Sequence, residues 1–107
     1  MKYHKLVRDR IPEIIKASGD CCVTEILSQE EYVKQLDQKL QEELTEYYQE
    51  PCLEELADLL EVIHAVAVAR GYTVEQLEEK RAKKAQERGG FENRILLKEV
   101  ITKSQKE

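Results

Sequence analysis

The chain has 107 residues, 36% of them charged and 41% hydrophobic, with a net charge of −5. That is one domain's worth of chain and a small core. It has no apolar run near the ~20 residues of a membrane span and no apolar signal core in its opening MKYHKLVRDR. Three cysteines, with Cys21 and Cys22 adjacent, Cys52 apart and no CxxC pair, argue against a disulfide framework or a cysteine zinc site, and a reducing cytoplasm is expected.

In chain order, Pro12 near the start and Gly19 just past the end predict a short helix over 11–18. Residues 22–27 are β-branched enough to be extended. Ser28 followed by Glu31 reads as a capping box. Tyr32, Val33, Leu36, Leu40, Leu44, Tyr47 and Tyr48 then recur at three- and four-residue steps, which predicts a helix to about residue 49. Pro51 is expected at the first position of the next helix, where a missing N–H costs nothing. Leu53, Leu56, Leu60, Ile63 and Ala67 form an apolar face of that helix, and Gly71 is its left-handed stop. Thr73 with Gln76 is a second capping box, opening a helix through Leu77 and Ala85 to about Arg88 before Gly89 and Gly90. Residues 91–101 suit a short strand or a docking tail, and residues 103–107 should fray.

Residues 62–69 are apolar almost all round. A helix so patterned is buried on every side, and in so short a chain the cover is expected to be another subunit. The expected fold is a single domain over 1–107, mainly α. It is an antiparallel helical bundle with short extended segments near both termini, completed as a homodimer or homotetramer.

Charge is segregated. Residues 1–24 carry net +2, residues 25–61 carry net −10, and residues 62–107 carry net +3. A duplex nucleic-acid binder would show a net basic footprint, so that partner is not expected. An acidic centre between basic ends suits a cation held beside an anion. The plain alternative is a set of solvated acidic helix faces.

Two carboxylate pairs stand out, Glu43-x-x-Glu46 and Glu55-x-x-Asp58. Residues three apart share one helix surface, and the short turn at Pro51 makes the two helices antiparallel neighbours. In such a hairpin 43 pairs with 58 and 46 with 55, both about one centre near Glu50. Glu55, Asp58, Val62, Ala65 and Ala69 share a face that is acidic near the hinge and apolar farther on. Solvation alone explains such a face poorly. Two like charges ~4 Å apart repel by about 4 kcal/mol at an effective dielectric near 20. The local sequence offers only Lys34 and Lys39 against this, so a metal is the economical partner. All-oxygen ligands favour Mg2+ or Mn2+ over zinc.

At these residues the chain resembles the all-α nucleoside triphosphate pyrophosphohydrolases, the MazG-like superfamily that includes phosphoribosyl-ATP pyrophosphohydrolase. The likeness rests on an ExxE pair followed by an ExxD pair. The opening residues 5–12 (KLVRDRIP) and the stretch 84–91 (KAQERGGF) are similar to small single-domain phosphoribosyl-ATP pyrophosphohydrolase-like members. Only eight residues separate Glu46 from Glu55, fewer than in many relatives, which leaves little room for base-recognising insertions.

The resemblance implies that Glu43, Glu46, Glu55 and Asp58 bind Mg2+, and that a nucleotide is hydrolysed between its α and β phosphates to a monophosphate and pyrophosphate. Glu46, nearer the rim, is the candidate base. Lys80, Lys84 and Arg88 share a helix face and are candidates to grip phosphate, as are Arg8 and Arg10. Lys39 is a candidate for the substrate or for the carboxylates. Two other readings compete: a non-catalytic helical binding or regulatory module, and a carboxylate di-iron bundle drawing on Glu61-x-x-His64.

Overall fold

The computed structural model describes residues 4–102; the expected fraying of 103–107 lies outside them. By its internal contacts the chain divides into two compact units, Met1–Leu77 and Glu78–Glu107. The first holds α1 (Ile11–Ala17), α2 (Gln29–Gln49) and α3 (Leu53–Ala69). Helix α4 (Val74–Arg88) begins at the end of the first unit and supplies the helix of the second. The described residues are mainly helical and include no strand. No helix among them is long and apolar enough to cross a membrane.

The helix ends follow from local chemistry. Ser28 caps α2, its Oγ accepting the Glu31 N–H at 3.2 Å. The box at α4 is fully reciprocal: the Gln76 N–H donates to Thr73 Oγ1 at 3.0 Å, and the Thr73 N–H donates to Gln76 Oε1 at 2.9 Å. Two orphan donors are thereby satisfied at once. Helix α3 ends in a Schellman turn. The Tyr72 N–H reaches the Ala67 carbonyl and the Gly71 N–H reaches that of Val68, which requires Gly71 at φ +93°.

Three expectations are corrected. Pro51 is not the first residue of α3; it precedes an extended N-cap at Cys52, and the helix starts at Leu53. The chain reverses direction over residues 50–52, and Cys52 must stay extended to complete that turn. Residues 22–27 and 91–101 form no strand. A strand needs a neighbour to accept its backbone hydrogen bonds. Val23 and Ile26 stand fully exposed, with no described segment alongside to supply one.

Helices α2 and α3 form an antiparallel hairpin, the one helix pair packed together within the first unit. Its open end is tied by Gln29, whose Nε2 donates to the Ala69 carbonyl at 2.8 Å, and by an Arg70–Asp37 ion pair at 2.8 Å. The first bond satisfies a carbonyl that the end of α3 would otherwise leave open. The hairpin core is thin. Leu36 is the only buried apolar side chain among the described residues. Leu53, Leu56 and Leu60 remain exposed, as does Val68 farther along. One apolar face of α3 therefore has no cover among the described residues of the first unit.

Candidate metal centre

The second buried residue of the hairpin is a glutamate. Glu43 keeps only 6% of its surface exposed, although hydrophobic periodicity places it at the edge of the leucine stripe of α2. Its position, seven residues after Leu36, continues the row that faces α3. Glu55 and Asp58, half-buried on the first two turns of α3, face it across the hairpin. One carboxylate oxygen from each of Glu43, Glu55 and Asp58 lies within 4.8 Å of the others. Among the described residues this is the only group of three His, Cys, Asp or Glu side chains close enough to share a cation.

Cations from the chain itself meet part of this charge. Lys39 Nζ lies 3.3 Å from Glu43 Oε1 and 3.9 Å from Glu42. Arg8 donates from Nη2 to Asp58 Oδ1 at 2.6 Å. The remaining charge is unmet: Glu43 Oε2 and Glu55 Oε2 are buried with no hydrogen-bond partner. Desolvation raises the Glu43 pKa above the ordinary carboxylate value; the Lys39 hydrogen bond opposes this, and the neighbouring Glu46 carboxylate adds to it both by its charge and by a side-chain hydrogen bond that favours the protonated form. Desolvation likewise raises Glu55, helped by the charges of Glu46, Asp58, Glu54 and Glu50. Both shifts have the same origin: negative oxygens drawn out of water and toward one another.

The donor set suits a hard divalent cation. Oxygens sharing one Mg2+ at ~2.1 Å stand roughly 3–4 Å apart, and Ca2+ spreads them farther. The observed spacing reaches that range with small side-chain rotations. Buried polar atoms nearly always find partners, and the two orphaned oxygens are what a cation would satisfy.

The predicted site residues divide as follows. Glu43, Glu55 and Asp58 come together. Glu46 gives no oxygen to that group; it is exposed beside it and, with Lys5, Gln38, Gln41 and Thr45, lines a shallow groove, widely open to solvent, along α2. Lys39 pairs with the carboxylates. Lys34 pairs with Glu30 at 3.9 Å instead. Lys80, Lys84 and Arg88 are exposed on α4 within the second compact unit. Glu61 is exposed, His64 half-buried, and neither joins the carboxylate group. From the sequence Arg8 is expected only as a phosphate ligand; in the structure it is the partner of Asp58. Fifty residues separate the two, and the only hint was the basic balance of residues 1–24. Cys21, Cys22 and Cys52 are unbridged.

No known family's sequence model matches the chain, and no solved structure matches it. Over 42 residues, 39% of its length, the chain is 57% identical to an uncharacterized protein of Mycolicibacterium smegmatis. That match spans 43% of the relative's own length.

Proposed function

We propose that the chain is a MazG-like, Mg2+-dependent nucleotide pyrophosphohydrolase of the all-α type, cleaving a nucleoside triphosphate or related nucleotide between its α and β phosphates. The observation that carries this reading is the pair of buried, unpartnered oxygens on Glu43 and Glu55 beside Asp58. The resemblance of the two carboxylate pairs, and of the segments flanking them, supplies the reaction.

Glu43, Glu55 and Asp58 would hold the cation. Bound there, Mg2+ (or Mn2+) would neutralise phosphate oxygens and make a nearby water more acidic. Glu46 is left for proton transfer. It is exposed at the rim, outside the three-carboxylate group, and able to accept the proton of an attacking water. Lys39 holds Glu43 in place through its ion pair. Lys80, Lys84 and Arg88 are proposed for phosphate from their shared helix face in the sequence alone. The uncovered apolar face of α3, Leu53, Leu56 and Leu60 with Val68, supports assembly as a homodimer or homotetramer.

One observation favours the second reading, a non-catalytic helical module: Lys39 and Arg8 already pair with two of the three carboxylates. Glu55→Gln and Asp58→Asn separate the readings. Both variants, with wild type, are assayed for pyrophosphate release from a panel of nucleoside triphosphates and phosphoribosyl-ATP with Mg2+ or Mn2+. The enzyme reading expects wild-type turnover, a loss of at least ~100-fold in each variant, and unchanged helical circular dichroism. No release from any substrate returns the assignment to the binding module.

A further inference from the structure

Arg8 is the only described residue of the stretch 4–10 whose side chain makes a hydrogen bond or ion pair to the hairpin. That stretch has no regular secondary structure before α1, and most of it is exposed. Its side-chain bond falls on Asp58, one of the three residues that meet at the carboxylate centre. Lys39 differs in kind. It lies one turn from Glu43 on the same helix and pairs without constraining any other segment. The Arg8 bond crosses from an irregular segment to α3. A guanidinium is a permanent cation with fixed donors, so on Asp58 Oδ1 it stands as a tethered rival to any free cation.

We propose that Arg8 is a latch: it competes with a divalent cation for Asp58, and cation binding releases residues 4–10 from the hairpin. This rests on the metal-centre reading given above. The charge balance drives the exchange. Two buried carboxylate oxygens have no partner while Arg8 is in place, because one guanidinium on the Asp58 side cannot reach all three residues. A divalent cation between them serves all three and repels the guanidinium. The exchange thereby frees a positive side chain at the edge of the centre, where an anionic group bound to the cation would meet it. Release would also loosen the Lys5 side of the groove that Glu46 lines.

Two measurements on the full chain test the latch. In the first, Mn2+ is titrated into wild type, Arg8→Lys and Arg8→Gln, with free Mn2+ read by electron paramagnetic resonance. Removing one positive charge a few ångströms from a dication should tighten binding by about tenfold in Arg8→Gln at low salt. The gain should shrink as salt rises, with Arg8→Lys between the two. In the second, trypsin cleavage after Lys5 and Arg10 is followed in wild type with and without Mn2+. The latch requires faster cleavage once Mn2+ is bound, and this arm does not depend on a variant folding. Affinity in Arg8→Gln that is unchanged or weaker, with cleavage insensitive to Mn2+, overturns the latch and leaves the metal centre standing. No Mn2+ binding by wild type or by either variant overturns the metal reading, and the latch with it.

Discussion

Glu43→Gln is the perturbation whose outcome the geometry fixes most tightly. The side chain is buried to 6% exposure, with Oε2 unpartnered and Oε1 3.3 Å from Lys39 Nζ. Leaving a buried polar atom unsatisfied costs about 1–3 kcal/mol, and more where the group is charged. The glutamine amide removes that charge and adds N–H donors beside the Glu55 and Asp58 carboxylates, while its carbonyl can still accept from Lys39. The lost charge of the Lys39 pair offsets about 1 kcal/mol, since the lysine is partly exposed. The net expectation without divalent cation at pH 7 is stabilisation by about 1 kcal/mol, a rise in Tm of roughly 4–8 °C for a chain of this size. Thermal melts by circular dichroism in EDTA measure it. The same substitution should weaken Mn2+ binding by at least ~10-fold, a gain in stability at the expense of function. A Glu43→Gln protein that melts lower than wild type in EDTA would refute the reasoning. It would show that the Glu43 charge is held comfortably by partners of its own.

The pH dependence has a definite sign. Because folding raises the Glu43 and Glu55 pKa values, the folded state binds their protons more tightly than the unfolded chain. Stability in EDTA should therefore rise as pH falls from neutral toward the ordinary glutamate value near 4.5, and be lost as pH climbs through the raised values. A Tm series across that window checks it, and a Glu43→Gln, Glu55→Gln double variant should flatten the slope. Mn2+ affinity should move the other way, weakening as pH falls, because protons and cation compete for the same oxygens. Leu36→Ala removes the one buried apolar side chain of the hairpin and should cost about 2–4 kcal/mol in urea melts. Arg70→Ala breaks only an exposed ion pair and should cost less than ~1 kcal/mol.

The helices were legible because their punctuation is local. Ser28, Thr73 with Gln76, Gly19 and Gly71 each act within one turn of where they stand. The hairpin register was legible because it depends only on two helical periods and a short turn, and it brings Glu43 level with Asp58. What escaped depends on residues far apart in the chain. Glu43 is buried, rather than at an edge, because of how α3 lies against it. Arg8 reaches Asp58 through the course of residues 9–52, which no periodicity encodes. Residues 22–27 have strand-like composition without a strand, because composition cannot supply a partner. The apolar positions 53, 56 and 60 read as a core face, yet α3 turns its mixed acidic and apolar face toward α2 instead. Satisfying that choice leaves the leucines for a second surface to cover.

The proposed reaction is a divalent-cation-dependent attack on a nucleotide's phosphate chain at the Glu43–Glu55–Asp58 centre. Its most direct test is 31P NMR of a nucleoside triphosphate digest run with Mg2+ in 18O-enriched water. The expected products are a monophosphate and pyrophosphate only, with 18O in one of them, and no reaction in EDTA. Release of inorganic phosphate and a diphosphate, or turnover that persists in EDTA or in Asp58→Asn, would contradict it.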